Sequence, residues 1–438
     1  MISAQRRREI IDALRRGTVP ARGLDAVAVG LERFAPALDD ELDLCARGGA
    51  GFKAVRGDYG SGKTFLVRWL AERARRRGFA TSEVQISESE TQLHHLQTVY
   101  RRLVERLSTP DVHGGALRSV VDGWFYTLEE DVLAGGDVDE ADEPALLEAT
   151  SALAERRLES VGRRAPGFTA ALRGYRQAVA SGDSALAEGL LAWLGGQPHV
   201  AAAVKRQAGV KGDLDHDAAT SFLAGLLVVL RDAGRAGLVL VLDEVETLQR
   251  VRGDVRDRAL NALRQLLDEI DGGRFPGLYL VLTGTPAFFD GPRGAQRLAP
   301  LAQRLATDFS TDARFDNPRA VQLRLPGFDL DALCAVGGRV RDLYAEGSHR
   351  PERVRDRCGD AYLRTLAEAV SGELGRQVGV APRVFCKKLV GDVLDRIDQF
   401  DDFDPRAHYR LTIADRELTE VERNARHAET VDDIELDV

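Results

Sequence analysis

The chain has 438 residues, 44% of them hydrophobic and 29% charged, which is long enough for a sizeable core plus one or two smaller domains and has the balance of a globular protein. A net charge of −9 argues against a surface that grips nucleic acid as a whole, so basic patches such as Arg6, Arg7 and Arg8, Arg15 with Arg16, and residues 73–77 read first as solvated helix faces. Four scattered cysteines (Cys45, Cys334, Cys358, Cys386) form no C-x-x-C pair, which argues against a disulfide framework or a zinc site and for a reducing cytoplasm.

In chain order, residues 5–16 show the spacing of a short amphipathic helix, ended by Gly17 and Pro20. No signal-peptide apolar core follows the basic N-terminus, and the longest apolar runs, such as 238–242, stop far short of the ~20 residues a bilayer requires, so no membrane span is expected. A helical pattern runs up to Ala46, then a strand over 52–56, a glycine loop, a helix over 64–77 and a strand over 81–87. Helical spacing returns over 93–107. From about 108 to 216 a string of helical pieces broken by glycine pairs reads as an insertion. The apolar run 238–242 predicts a strand buried on both faces, as in a parallel sheet. A helix over 258–270, a buried strand over 278–282, a strand over 321–325 and a helical stretch over 330–397 follow. The acidic remainder packs in part through residues 409–413, and its end is expected to be disordered.

The glycine loop carries the chemistry. Gly57-Asp58-Tyr59-Gly60-Ser61-Gly62-Lys63-Thr64 fits G-x-x-x-x-G-K-[ST], with a strand before it and a helix after. Glycines allow successive backbone N–H groups to turn inward around phosphate oxygens at a helix N-terminus. Lys63 is then placed to reach β- and γ-phosphates, and the Thr64 hydroxyl to ligate Mg²⁺. The buried strand 238–242 ends in Asp243 and Glu244. Asp243 suits water-mediated Mg²⁺ binding, and Glu244 suits polarising an attacking water. The plainer reading of the same pair is an acidic start to a helix.

Three further positions are weaker candidates. Thr283, and after it Thr285, stands at the tip of the strand 278–282, where a hydroxyl can touch a γ-phosphate or the lytic water; closing a turn is the alternative. Arg304, ahead of Arg297, Arg314 and Arg319, could offer forked donors to a phosphoryl group held by a neighbouring subunit, or be a solvated surface arginine. Arg383 opens a helix after Gly379-Val380-Ala381-Pro382 and could reach back to a bound nucleotide.

These residues in this order resemble the AAA+ ATPases, within them the branch of the origin-recognition replication initiators. Residues 57–64 are similar to Walker A, 238–244 to Walker B with its catalytic glutamate, Thr283 to sensor 1, Arg383 to sensor 2 and Arg304 to the arginine finger. More narrowly, residues 14–20, 52–64, 83–87, 242–248, 278–286 and 379–383 resemble the BrxD-type ATP-binding proteins of BREX bacteriophage-defence systems.

The resemblance implies an α/β fold, a P-loop NTPase parallel sheet flanked by helices, with a helical insertion and a C-terminal helical lid. It divides the chain into a basic N-terminal helix and lead-in (1–23), the nucleotide-binding core (24–325), the lid (326–397) and an acidic tail (398–438). It implies ATP and Mg²⁺ as ligands, a homo-oligomer, and other defence-system proteins such as a helicase as partners, with DNA contacted directly or through a partner. ATP hydrolysis driving work on those partners is the first expectation. A binding switch with little turnover, or a transposition or replication ATPase, is the alternative. Initiators usually carry a winged-helix domain after the lid; here roughly 40 residues, rich in Asp and Glu, follow Ile397, too few for that module.

Overall fold

The computed structural model describes residues 2–373 and 381–418. The strands β1 (Gly51–Arg56), β2 (Ala80–Gln85), β3 (Leu238–Asp243), β4 (Leu278–Gly284) and β5 (Gln322–Arg324) form one parallel sheet in the order β2-β3-β4-β1-β5. The register is level across the middle, with Val55 opposite Thr283 and Leu242 opposite Leu282, so the carboxyl ends of β1, β3 and β4 reach one edge together. Every residue of β3 and β4 is buried. Their side chains alternate: Leu238, Leu240, Leu278 and Leu280 enter one apolar cluster, while Val239, Val241, Tyr279 and Val281 enter another. That is the period-two consequence of a sheet covered on both faces.

The helices that provide the cover follow from the same patterns. After α1 (Ala4–Arg15), α2 (Ala35–Ala46) and α3 (Lys63–Arg76) bury Leu38, Leu42, Leu66 and Leu70 against one face of the sheet. Arg73 of α3 and Arg77 just past its end, expected on a solvated face, pair across to Asp39 of α2, and Arg77 also to Asp43. On the other face lies α4 (Leu96–Glu105). It is followed by the insertion helices α5 (Leu117–Ala134), α6 (Glu143–Arg157), α7 (Glu159–Gly162), α8 (Pro166–Ala180), α9 (Ser184–Leu194) and α10 (Ala202–Gln207), then by α11 (His216–Asp232) and α12 (Gly253–Asp271).

The insertion is not a separate globule. Phe222 of α11 meets Tyr100, Phe168 and Trp193 edge-on, with ring centroids 5.9, 5.1 and 5.4 Å away, in the arrangement aromatic quadrupoles favour. Gly225 permits this closeness, because a Cβ there would stand 2.6 Å from Phe168 Cε1.

Two short helices, α13 (Pro286–Asp290) and α14 (Ala299–Arg304), lead to β5. The lid then forms from α15 (Leu330–Ala345), α16 (Pro351–Arg357), α17 (Asp360–Glu373) and α18 (Ala381–Lys388), with helical turns running on to Gln399. Its apolar cluster includes Ile10, Ile11 and Leu14 of α1, packed among Leu333, Val336, Val340 and Phe385. Arg15 donates Nε and Nη2 to Asp395 at 2.7 and 2.9 Å, and Arg7 pairs with Glu346 at 3.3 Å. The first helix is thus part of the lid's core. The chain beyond the last helical turns lies on the lid too, burying Ile413 and Leu418, with Tyr409 and Leu411 packed beside them. The end of the acidic tail, 419–438, lies outside the described residues. Among the described residues, no helix is long and apolar enough to cross a membrane.

Candidate nucleotide site

The glycine loop bridges the end of β1 and the start of α3. Gly60 and Gly62 have φ of 77° and 93°, a region in which a Cβ is strained, and Gly62 caps α3. A Cβ on Gly57 would lie 2.4 Å from Ser61 Oγ and 3.2 Å from the Leu325 carbonyl oxygen, so a side chain here would displace the Ser61 hydroxyl. The first-turn N–H groups of α3 have no intrahelical acceptors and form a ready anion site. Lys63, the first residue of α3, is 8% exposed. Its ammonium donates to the carbonyls of Gly57 and Asp58 at 2.8 and 3.1 Å and stands 5.2 Å from the centre of the Tyr59 ring. Burial pulls its pKa down, and Glu246, Asp243, Asp58 and Glu244 resist that fall through their charge.

Sheet order brings the acidic pair to the same edge. Asp243, the last residue of β3, is 5% exposed and accepts a hydrogen bond from the Thr283 hydroxyl of the adjacent β4. Burial raises its pKa, the Thr283 bond opposes the rise, and Lys63 is among the charges favouring its ionised form. The Glu244 N–H in turn donates to Thr283 Oγ1 at 3.1 Å, so one hydroxyl fixes both the carboxylate and the turn after it. Glu244 has φ of 61°, left-handed for a residue with a Cβ, a local strain that persists where the surroundings over-determine it. Its carboxylate accepts from Gln85 Nε2, at the end of β2, at 2.8 Å. The Asp243 carboxylate and the half-buried Thr64 hydroxyl suit the hard-oxygen demands of Mg²⁺, which takes one or two protein ligands alongside phosphate oxygens. The glycine cradle and the buried Lys63 suit a triphosphate.

The other candidates stand apart. Thr285, two residues beyond Thr283, is buried and precedes α13. Arg304, at the end of α14, pairs within the chain to Asp268 and, at 2.7 Å, to Asp271. Arg297 pairs with Asp257, Arg314 with Asp312 and Arg319 with Asp40. Arg383 of α18 donates to the Glu417 carbonyl at 2.8 Å and lies against Gly17. Gly379 and Val380, which complete that motif, lie outside the described residues.

Two neighbours of the site escaped the sequence reading. Gln85 lies in the stretch 83–87 that carries the resemblance, but no role is read for it there; the pairing of β2 with β3, which sets Gln85 beside Asp243, brings it to the site. Glu246 sits on the 3-10 turn Val245–Gln249, which wraps it back until a carboxylate oxygen is 4.0 Å from Lys63 Nζ. The third acid in Asp-Glu-Val-Glu was the available hint.

A family model described as BREX system ATP-binding protein BrxC/D matches residues 2–413. Among solved structures, one of the Aeropyrum pernix ORC2 protein in ADPNP and ADP complexes aligns over 82% of this chain and 67% of that one, at 12% identity and a TM-score of 0.32. No curated protein sequence matches the chain.

Proposed function

For a chain that belongs to the BREX system ATP-binding protein BrxC/D family, we propose a magnesium-dependent ATPase whose turnover drives conformational work on DNA-associated partners in phage defence. The observation that carries this reading is the convergence at one sheet edge of the glycine loop, the buried Lys63 and the Asp243/Thr283 pair, with Glu244 next in the chain.

In this reading the loop amides and Lys63 hold the β- and γ-phosphates, and Thr64 and Asp243 hold Mg²⁺. The bound metal would supply neutralisation of charge developing on the phosphoryl oxygens. Glu244 orients and deprotonates the attacking water, while the Thr283 hydroxyl keeps Asp243 and the Glu244 backbone in register with the loop. Arg304 acts on the nucleotide of a neighbouring copy, which requires assembly and release from its own aspartates. Arg383 reports nucleotide state from the lid. The compartment is the cytoplasm, and a helicase of the same defence system is a candidate partner.

A second reading has an observation of its own. The Glu244 carboxylate is engaged by Gln85 and Arg304 by Asp268 and Asp271, which favours an ATP-occupancy switch that turns over slowly until a partner rearranges these contacts. Turnover measured with and without duplex DNA, across protein concentration, separates the two. Acceleration by DNA or by concentration supports the motor, and a flat, slow rate supports the switch. Loss of turnover with retained ATP binding in Glu244→Gln is expected in the first case, and unchanged turnover removes Glu244 from its role.

A further inference from the structure

Glu246 is a buried acid to which the proposed reaction assigns no part. It is 4% exposed, and among the described residues neither of its oxygens meets a donor in hydrogen-bonding geometry; its own backbone amide only leans toward it. The cation it faces among the described residues is Lys63, at 4.0 Å, beyond hydrogen-bonding reach. A buried carboxylate without hydrogen bonds costs several kcal/mol, and an isosteric amide would fill the same space at lower cost. Packing alone therefore gives no reason for a charge here. What distinguishes the position is the group it faces. Two of the three Lys63 N–H donors are accounted for by the Gly57 and Asp58 carbonyls, and Tyr59 lies over the ammonium.

We propose that Glu246 is a positioning residue that holds the Lys63 ammonium against the glycine loop by charge, so that the β- and γ-phosphates of a nucleotide bind in competition with a resident carboxylate. The proposal rests on the phosphate-site reading above. It follows that Glu246 weakens the binding of di- and triphosphates while making the free loop more ordered. A monophosphate does not extend to Lys63 and is indifferent to it.

The test is calorimetric titration, at a pH well above 7 where the carboxylate is charged, of full-length wild type, Glu246→Gln and Glu246→Asp with ATP, ADP and AMP, with melting temperatures measured in parallel. Glu246→Gln is expected to bind ATP and ADP at least about threefold more tightly, as removal of a nearby like charge implies, with AMP affinity unchanged and the melting temperature not lowered. Glu246→Asp keeps the charge and is expected to bind all three nucleotides as wild type does. Glu246→Gln binding ATP no more tightly than wild type, or tightening on AMP as much as on ATP, overturns the proposal. So does a loss of stability in both variants with weaker binding of every nucleotide, which marks a packing role. Wild-type protein that binds none of the three sinks the reading of the site itself.

Discussion

Two lysine and glutamate pairs, one buried and one partly exposed, lie in different regions of the molecule and behave in opposite ways. On the lid, Lys388 donates to both oxygens of Glu417, at 3.0 and 2.9 Å, with Lys387 alongside, and these contacts hold the Glu417 pKa down at about 2 against the effect of burial. At the sheet edge, Lys63 and Glu246 stand 4.0 Å apart, and burial pushes the Lys63 pKa down and the Glu246 pKa up to about 7. The lid pair is satisfied and fastens the segment after Gln399 to α18. The edge pair is kept apart by the loop carbonyls that take the Lys63 donors, so its charges remain available to a third party. The same two residue types thus make a staple in one region and part of a candidate site in the other, and geometry rather than composition decides which.

The largest effect that would break this comparison is at Lys63. Lys63→Ala should weaken ATP binding by about 100-fold, the loss of charge-assisted contacts to two phosphates, while thermal unfolding stays near wild type; retained affinity in titrations would leave the edge pair with no special standing. Lys388→Ala should do the reverse. Breaking a partly exposed pair costs about 1–2 kcal/mol of lid stability, read as earlier chemical denaturation with ATP affinity little changed.

Acidity sharpens the contrast further. Glu417, with its folded pKa depressed, contributes stability that is present above its unfolded value near 4.5 and is lost as pH falls toward about 2. Glu246 has the opposite sign: its folded form binds its proton more tightly than the unfolded chain does, so it makes stability decline as pH rises from about 4.5 to about 7. Unfolding curves across that range should show a shallower decline in Glu246→Gln, and identical slopes would contradict the burial argument. The smallest effect is at Arg304. Its half-exposed pairs with Asp268 and Asp271 should contribute within about 0.5 kcal/mol to stability, so Arg304→Ala should leave melting and ATP affinity alone and lower turnover only at concentrations where the protein assembles.

Much of the architecture was legible because the sheet is buried on both faces. Continuous apolar runs at 238–242 and 278–282 fall on β3 and β4, and the glycine loop sits between β1 and α3 as its pattern requires. What was hidden is what depends on distant parts of the chain meeting. Nothing local tells that Arg15 will find Asp395, 380 positions away, or that α1 will complete the lid's apolar cluster. The insertion's helical pieces and the glycine pairs that break them were legible, yet its anchoring through Phe168 on Phe222 depends on Gly225, one small residue in another helix. Gln85 and Glu246 likewise acquire meaning only from the neighbouring strand and from the turn that folds back over the loop.

Because α1 is built into the lid, the backbone passes between lid and core twice, once over residues 16–23 and again over 325–329. A dye placed beside residue 2 would therefore ride with α15 and α18, and trimming the first 23 residues would strip that helical body of part of its apolar lining.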